Sequence, residues 1–201
     1  MGQIAIGLLS GSKALRGALR SFLDSEPGFR VEAEADNGAG MANMVRDRSP
    51  DVLVIDTQLD GPSCVLQLRD VSGGVGLVAL SLFNNPSVVL AWLAAGVNAF
   101  VVKGSSSEEL VSGIRHADMG LTYVDSSISR QELSCYAARA GMAGEGHHAL
   151  LTPRQREILR LVSQGWDEER IACRLGISER SVKAHRRNIA ARLSSTQADL
   201  P

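Results

Sequence analysis

Between Ile4 and Met119, short apolar runs alternate with stretches in which apolar residues recur every three or four positions. The runs Ile4–Leu9, Arg30–Ala35, Val52–Asp56, Leu77–Leu80 and Ala99–Val102 predict five strands. Val52-Leu53-Val54-Ile55 and Phe100-Val101-Val102 show no polar alternation, which suits parallel strands covered on both faces. The helical period predicts helices over Ser12–Leu23, Ala39–Arg48, Ser63–Val71, Ser87–Ala95 and Ser107–Met119. Asn85-Pro86 marks one helix start, and Ser106 with Glu109 has the spacing of a capping box at another. Five successive β–α units predict an α/β domain over residues 1–124. Its five-stranded parallel sheet should be doubly wound in flavodoxin-like order, with chemistry at the carboxyl ends of the strands.

The pattern changes after Leu121. Asp125 or Ser126 is placed to cap a helix carrying Ile128, Leu133, Tyr136 and Ala137. Gly141-Met142-Ala143-Gly144-Glu145-Gly146-His147-His148 then reads as a flexible linker. The adjacent His147-His148 pair lacks a spaced third ligand, so it is read as solvated linker and no metal is expected. From residue 150 the pattern is wholly helical. Thr152-Pro153 with Gln155 opens a helix carrying Ile158, Leu159 and Val162, and Gly165 stops it. Asp167 opens a second with Ile171, Ala172 and Leu175 inward, ended by Gly176. Ser178 opens a third, apolar at Val182, Ile189 and Leu193 and basic at Lys183, Arg186, Arg187 and Arg192. Two short helices, a Gly turn and a basic helix predict a small all-α helix-turn-helix domain over residues 150–201.

Charge sharpens that division. Residues 150–201 hold ten Lys/Arg against six Asp/Glu, a net +4, which leaves −5 for the rest of a chain summing to −1. A basic module beside an acidic one is the footprint of a phosphate-backbone binder. At 44% hydrophobic and 21% charged, the composition excludes wholesale disorder. Three scattered cysteines (Cys64, Cys135, Cys173) without a C-x-x-C spacing suit reduced thiols in the cytoplasm. No signal peptide or membrane span is expected.

The stretch Leu151 to Leu193, with its T-P-R-x-R-E-x-L start and I-S-x-x-[ST]-V-K-x-H helix, resembles the LuxR-type helix-turn-helix. The resemblance implies that Lys183, Ala184 and Arg187 face base edges in a major groove, with Ser181, His185 and Arg186 near phosphates. The residues agree in part: Lys183 and Arg187 lie four apart on one helix face, Arg suits guanine, and Ala184 suits a thymine methyl. For His185 a half-buried structural role stands beside the phosphate role. The family usually adds a fourth helix for dimer contact, and only a stub fits Ser194 to Pro201.

With Asp56 after the third strand, Ser81 after the fourth and Lys103 after the fifth, the first domain resembles a response-regulator receiver. The two together resemble the NarL/FixJ arrangement. The resemblance implies Asp56 as phospho-acceptor, Ser81 as switch hydroxyl, Phe100 as switch aromatic and Lys103 as essential lysine. It also implies that the face around Ser87–Met119 pairs receivers, although Trp92 reads equally as core. The sequence departs from the family where two acids should hold Mg²⁺, since Ser10 and Gly11 stand there. Leu59-Asp60 and Cys64 are off pattern too. Three carboxylates and a lysine would sum to −2 and recruit a divalent cation. Asp56 and Lys103 alone sum to zero, and one carboxylate makes a poor site for a hard cation. Phosphoryl transfer would then lack its cationic stabilisation.

These residues predict a cytoplasmic, non-enzymatic DNA-binding regulator, without cofactor. Its degenerate receiver would act through dimerisation or through a ligand or partner rather than aspartyl phosphorylation. A small acidic ligand cradled by Ser10-Gly11-Ser12-Lys13 is one option, and a plain structural turn is the other. Two further readings stay open: a conventional regulator phosphorylated at Asp56, and a protein-interaction module for which DNA is secondary.

Overall fold

The computed structural model of the chain describes residues 2–59, 61–71, 74–139 and 151–195. Strands β1 (Ile4–Leu9), β2 (Phe29–Ala35), β3 (Val52–Asp56), β4 (Gly76–Ser81) and β5 (Ala99–Val102) stand where the apolar runs placed them. Helices α1 (Lys13–Ser25), α2 (Gly38–Arg48), α3 (Ser63–Val71), α4 (Pro86–Ala95) and α5 (Ser107–Asp118) alternate with them. All strand pairs are parallel, and with a short β6 (Tyr123–Val124) at the edge the order is β2-β1-β3-β4-β5-β6.

The sixth strand corrects the expected five. β6 (Tyr123–Val124) pairs with β5 through residues the sequence assigned near a connector. Two residues are too few to show a period, and what places them is pairing: Tyr123 N–H donates to Asn98 O and Asp125 N–H to Phe100 O. Asp125 is therefore no helix cap. Its carboxylate accepts from Val102 N and from the Ser127 N–H and hydroxyl. Helix α6 (Arg130–Arg139) begins later, with the Ser129 hydroxyl accepting from Glu132 N. The Ser106–Glu109 capping box is absent as well, because Glu109 instead accepts from Tyr123 OH and Ser126 N. Burial and that carboxylate push the Tyr123 hydroxyl up to about 12.

The strand period of two sorts the core into two sides. Ile6, Leu8, Val54, Val78 and Val101 pack on α1 and α5. That side is tight: a Cβ on Gly76 would lie 2.5 Å from Ala117 O, so only glycine lets α5 approach β4 here. Leu53, Ile55, Leu77, Ala79 and Phe100 face the side that carries α3 and α4.

The C-terminal helices are α7 (Pro153–Ser163), α8 (Glu168–Leu175) and α9 (Glu179–Ser195). Their written starts hold: Thr152 and Gln155 form the capping box, and Asp167 and Ser178 accept from the N–H groups of Arg170 and Ser181. Gly176 ends α8 at φ 62°, the left-handed conformation that favours glycine. Ile158, Leu159, Ile171, Val182, Ile189 and Leu193 are buried together, and this cluster is continuous with the α4 side of the sheet. Helix α4 is the join. It is apolar on every side, buried from Val88 to Ala95, and packed against α6, α7 and α9 as well as α3 and β5. Among the described residues no helix is long and apolar enough to cross a membrane. The Gly141–His148 linker, Asp60 and the tail beyond residue 195 lie outside the described residues.

Candidate functional site

The ends of β1, β3, β4 and β5 bring together most of the receiver positions named from sequence. Asp56 closes β3 with a carboxylate only 5% exposed. Ser10 Oγ donates to its Oδ2 at 2.7 Å, and Lys103 Nζ lies 2.6 Å from its Oδ1. Gln58 N–H adds a third donor at 3.0 Å, and the Gln58 side-chain oxygen accepts from Lys103 at 3.2 Å. Burial pushes the Asp56 carboxyl up, but Lys103, the Gln58 N–H and the Ser10 hydroxyl together hold it below its ordinary value. Gln58 was missed in the sequence because its part is played chiefly by the backbone, which no residue type announces.

Ser81 and Phe100 are fully buried nearby, and the Ser81 hydroxyl accepts from Phe83 N, holding the loop that leads to α4. Gly11 brings no side chain; a Cβ there would sit 3.1 Å from the Leu59 side chain. At Ser10–Lys13, where an anion cradle and a plain structural turn were the two options, the hydroxyls and Ser12 N–H are used internally. Ser12 Oγ caps α1 by accepting from Leu15 N, Ser12 N–H donates to Ser10 Oγ, and Arg16 donates to the Ser10 carbonyl.

Helix α9 presents the second set. Lys183, Ala184 and Arg187 are exposed on one face, while Ser181 and His185 are half-buried. Arg186 departs from expectation. Its guanidinium points not to solvent but into the receiver, with Nη2 at 2.6 Å from Leu93 O and Nε at 3.2 Å from Ala94 O. Those are carbonyls at the end of α4, where the helix dipole is negative, and Leu93 O also accepts from the Gly96 N–H at 3.1 Å. Nη1 reaches Glu168 of α8 at 3.1 Å, and the side chain is 12% exposed. Burial lowers the Arg186 pKa against the opposing pull of Glu168. Lys183, 64% exposed, also approaches Glu168, at 3.5 Å.

Helices α9 and α7 also pack on α4, so in this arrangement the α4 portion of the expected dimer face is covered by the chain's own C-terminal helices. Trp92 is core, at 2% exposure. Glu168 was not singled out from sequence, and the spacing of charges on α8 alone could not have found it, because its partners lie on another helix.

Comparison with known proteins agrees with both halves. Residues 10–115 match the response regulator receiver domain family, and residues 149–198 match the bacterial regulatory proteins of the luxR family. The nitrate/nitrite response regulator protein NarP of Escherichia coli is 29% identical over 185 residues, 90% of this chain and 84% of that protein. The transcriptional regulatory protein LiaR of Bacillus subtilis is 27% identical over 94% of this chain and 90% of its own. Among solved structures, RcsB of Salmonella enterica serovar Typhimurium, bound to a promoter with phosphomimetic beryllofluoride, superposes with a TM-score of 0.63. That match is 18% identical and covers 96% of this chain and 92% of RcsB. A structure of two RcsB dimers on two parallel DNAs gives 0.63 at 17% identity over 100% of both chains. The receiver match alone takes in more than half of the chain and the luxR match follows it, so the chain belongs to the NarL/FixJ-type response regulators, DNA-binding transcription regulators with a receiver and a LuxR-type helix-turn-helix.

Proposed function

We propose that this regulator is atypical: its receiver works without magnesium-dependent phosphorylation of Asp56. The observation that carries the reading is the set of groups on that carboxylate. A hydroxyl, an ammonium and a backbone N–H all donate to it, and the net charge of the pair is zero. A magnesium ion needs oxygen lone pairs in near-octahedral array, usually with more than one carboxylate. Ser10 supplies a neutral hydroxyl where the family supplies acid, so the residues present do not fit the ion. Without it Lys103 alone would face the charge developing on a transferred phosphoryl group. Incubation with acetyl phosphate and Mg²⁺ should leave the intact mass unchanged; a phosphate added at Asp56 would overturn the proposal. The conventional phospho-switch is favoured by Asp56, Ser81 and Lys103 converging at the strand ends, and the same experiment decides between the two.

The output is DNA binding by α9 as a dimer on paired half-sites, with Lys183, Ala184 and Arg187 reading bases. Ser181, His185 and Arg186 supply the phosphate side of the contact. RcsB, on DNA and as dimers, supports this by analogy of fold. The described arrangement is a closed form. A major groove about 12 Å wide admits a helix about 10–12 Å across, with no room for a second one against its flank. With α4 beside α9, and Arg186 turned away from any phosphate, the two must part before α9 can enter DNA. Gel shifts with Lys183→Ala and Arg187→Ala test the output; unchanged binding in both would overturn the base-reading assignment.

A further inference from the structure

Helix α9 carries a cation that neither its cap nor its packing uses. Arg180 is exposed, and its guanidinium has no hydrogen-bond or ion-pair partner among the described residues. Its own helix offers none at the distances where side chains meet, since the positions three and four residues away hold Gly176, Ile177, Lys183 and Ala184. Its neighbours differ: Lys183 approaches Glu168 at 3.5 Å, and Arg186 is held by α4 and α8.

Arg180 also stands on the side of α9 directly away from the core. At about 100° per residue it lies about 160° round the helix from Val182 and about 180° from Ile189, both fully buried. By the same count it is within about 60° of Lys183, Ala184 and Arg187, in the middle of the face they share. The middle of that face meets the floor of a groove, where the base edges are, and its flanks meet the phosphate walls. Local energetics do not favour the placement. Ser178 Oγ accepts from Ser181 N at 3.1 Å, so Arg180 is the second residue of α9, at the positive end of the helix dipole. That end favours an acid such as Glu179, and an unpaired cation there lowers the stability of the free protein. A local conflict that the rest of the fold does not resolve marks a residue kept for a ligand.

We propose that Arg180 is a further specificity-determining residue, donating two N–H groups to O6 and N7 of a guanine in the major groove. The inference rests on α9 as the reading helix and extends its reading face to the first turn, the part of a recognition helix that meets base edges. Arg180 precedes Arg187 by about 10 Å along the helix axis, which is about three base-pair steps. The guanine therefore stands at the edge of the half-site, beyond the base that Arg187 reads.

The test uses the full chain and the DNA duplexes it selects from a random pool, together with their single-base variants. Any cost of freeing α9 is common to all duplexes and cancels in the ratio of affinities. Arg180→Ala should cut discrimination at one guanine by about tenfold or more and leave the other positions as they were. That guanine should lie about three base pairs from the position relaxed by Arg187→Ala. The same variant should melt no lower than wild type, because it removes a cation from the positive end of α9. If Arg180→Ala does not fold, Arg180→Gln decides: it should move the preference at that position from guanine toward adenine. A loss of affinity uniform across sequences, with a salt slope smaller by about one, would make Arg180 a phosphate contact and overturn the proposal. An unchanged preference or a lowered melting temperature would overturn it as well. Lys183→Ala and Arg187→Ala, run alongside, separate this claim from the reading beneath it. If they lose discrimination while Arg180→Ala keeps it, Arg180 alone is refuted; if the wild type selects no sequence, base reading by α9 fails.

Discussion

Two buried charge clusters in this chain use similar groups for opposite ends. At Asp56, one carboxylate meets one ammonium, one hydroxyl and one N–H, all from the receiver, and the charge closes to zero. At Arg186, one guanidinium is divided between a carboxylate of α8 and two carbonyls of α4, groups from different domains. The first lies wholly within the receiver. The second joins α9 to α4 and α8, across the boundary between the receiver and the helix-turn-helix. A satisfied pair within one domain behaves as structure, while a pair across two domains is available as a switch.

The largest effect should come from breaking the closed pair. Lys103→Met leaves the buried Asp56 without its counter-charge, held only by Ser10 and the Gln58 N–H, and should cost about 3–5 kcal/mol in denaturant unfolding. Adding Asp56→Asn should recover much of it; a single variant within about 0.5 kcal/mol of wild type would show that the pair is solvated after all. Next is the output surface. Arg187→Ala should cost about 1–3 kcal/mol of DNA affinity and relax discrimination at one base position. A uniform loss on every sequence would reassign Arg187 to the backbone.

The cross-domain cluster should respond in the opposite sense. Glu168→Gln removes the carboxylate from Arg186 and should tighten DNA binding by about tenfold, the equivalent of one charge-assisted hydrogen bond. Weaker binding would mean that α8 needs Glu168 on DNA rather than in the closed form. The smallest effect is on acid stability. Asp56 is held below its ordinary value of 3.8, so its contribution is complete above that pH and is lost as pH falls through the depressed folded value. Stability curves of wild type and the Asp56→Asn, Lys103→Met double variant should diverge there. Parallel curves between about pH 2 and 5 would remove Asp56 as a source of acid sensitivity.

Local signals carried much of the architecture. Strands β3 and β5 are continuous apolar runs, β2 alternates apolar with charged residues, and Thr152, Asp167, Ser178 and Gly176 punctuate the last three helices where they were expected to. β6 was not legible, because two residues have no period, and neither was the duty of Glu109, whose spacing fitted a cap equally well. At the candidate sites, the types at positions 10, 56 and 103 told the charge story before any coordinates did. Arg186 shows the limit. On α9 it reads as one more phosphate ligand, and nothing along the helix says that it turns toward Leu93 and Ala94.

The sequence by itself determined the longer elements and the order of receiver and helix-turn-helix, because caps, apolar periods and charge counts are properties of neighbouring residues. Only the tertiary structure decided that α4 is shared by both domains and that Arg186 is spent on its carbonyls. Those contacts join residues more than ninety positions apart, and a buried cation takes whatever carbonyl oxygens the fold brings within reach.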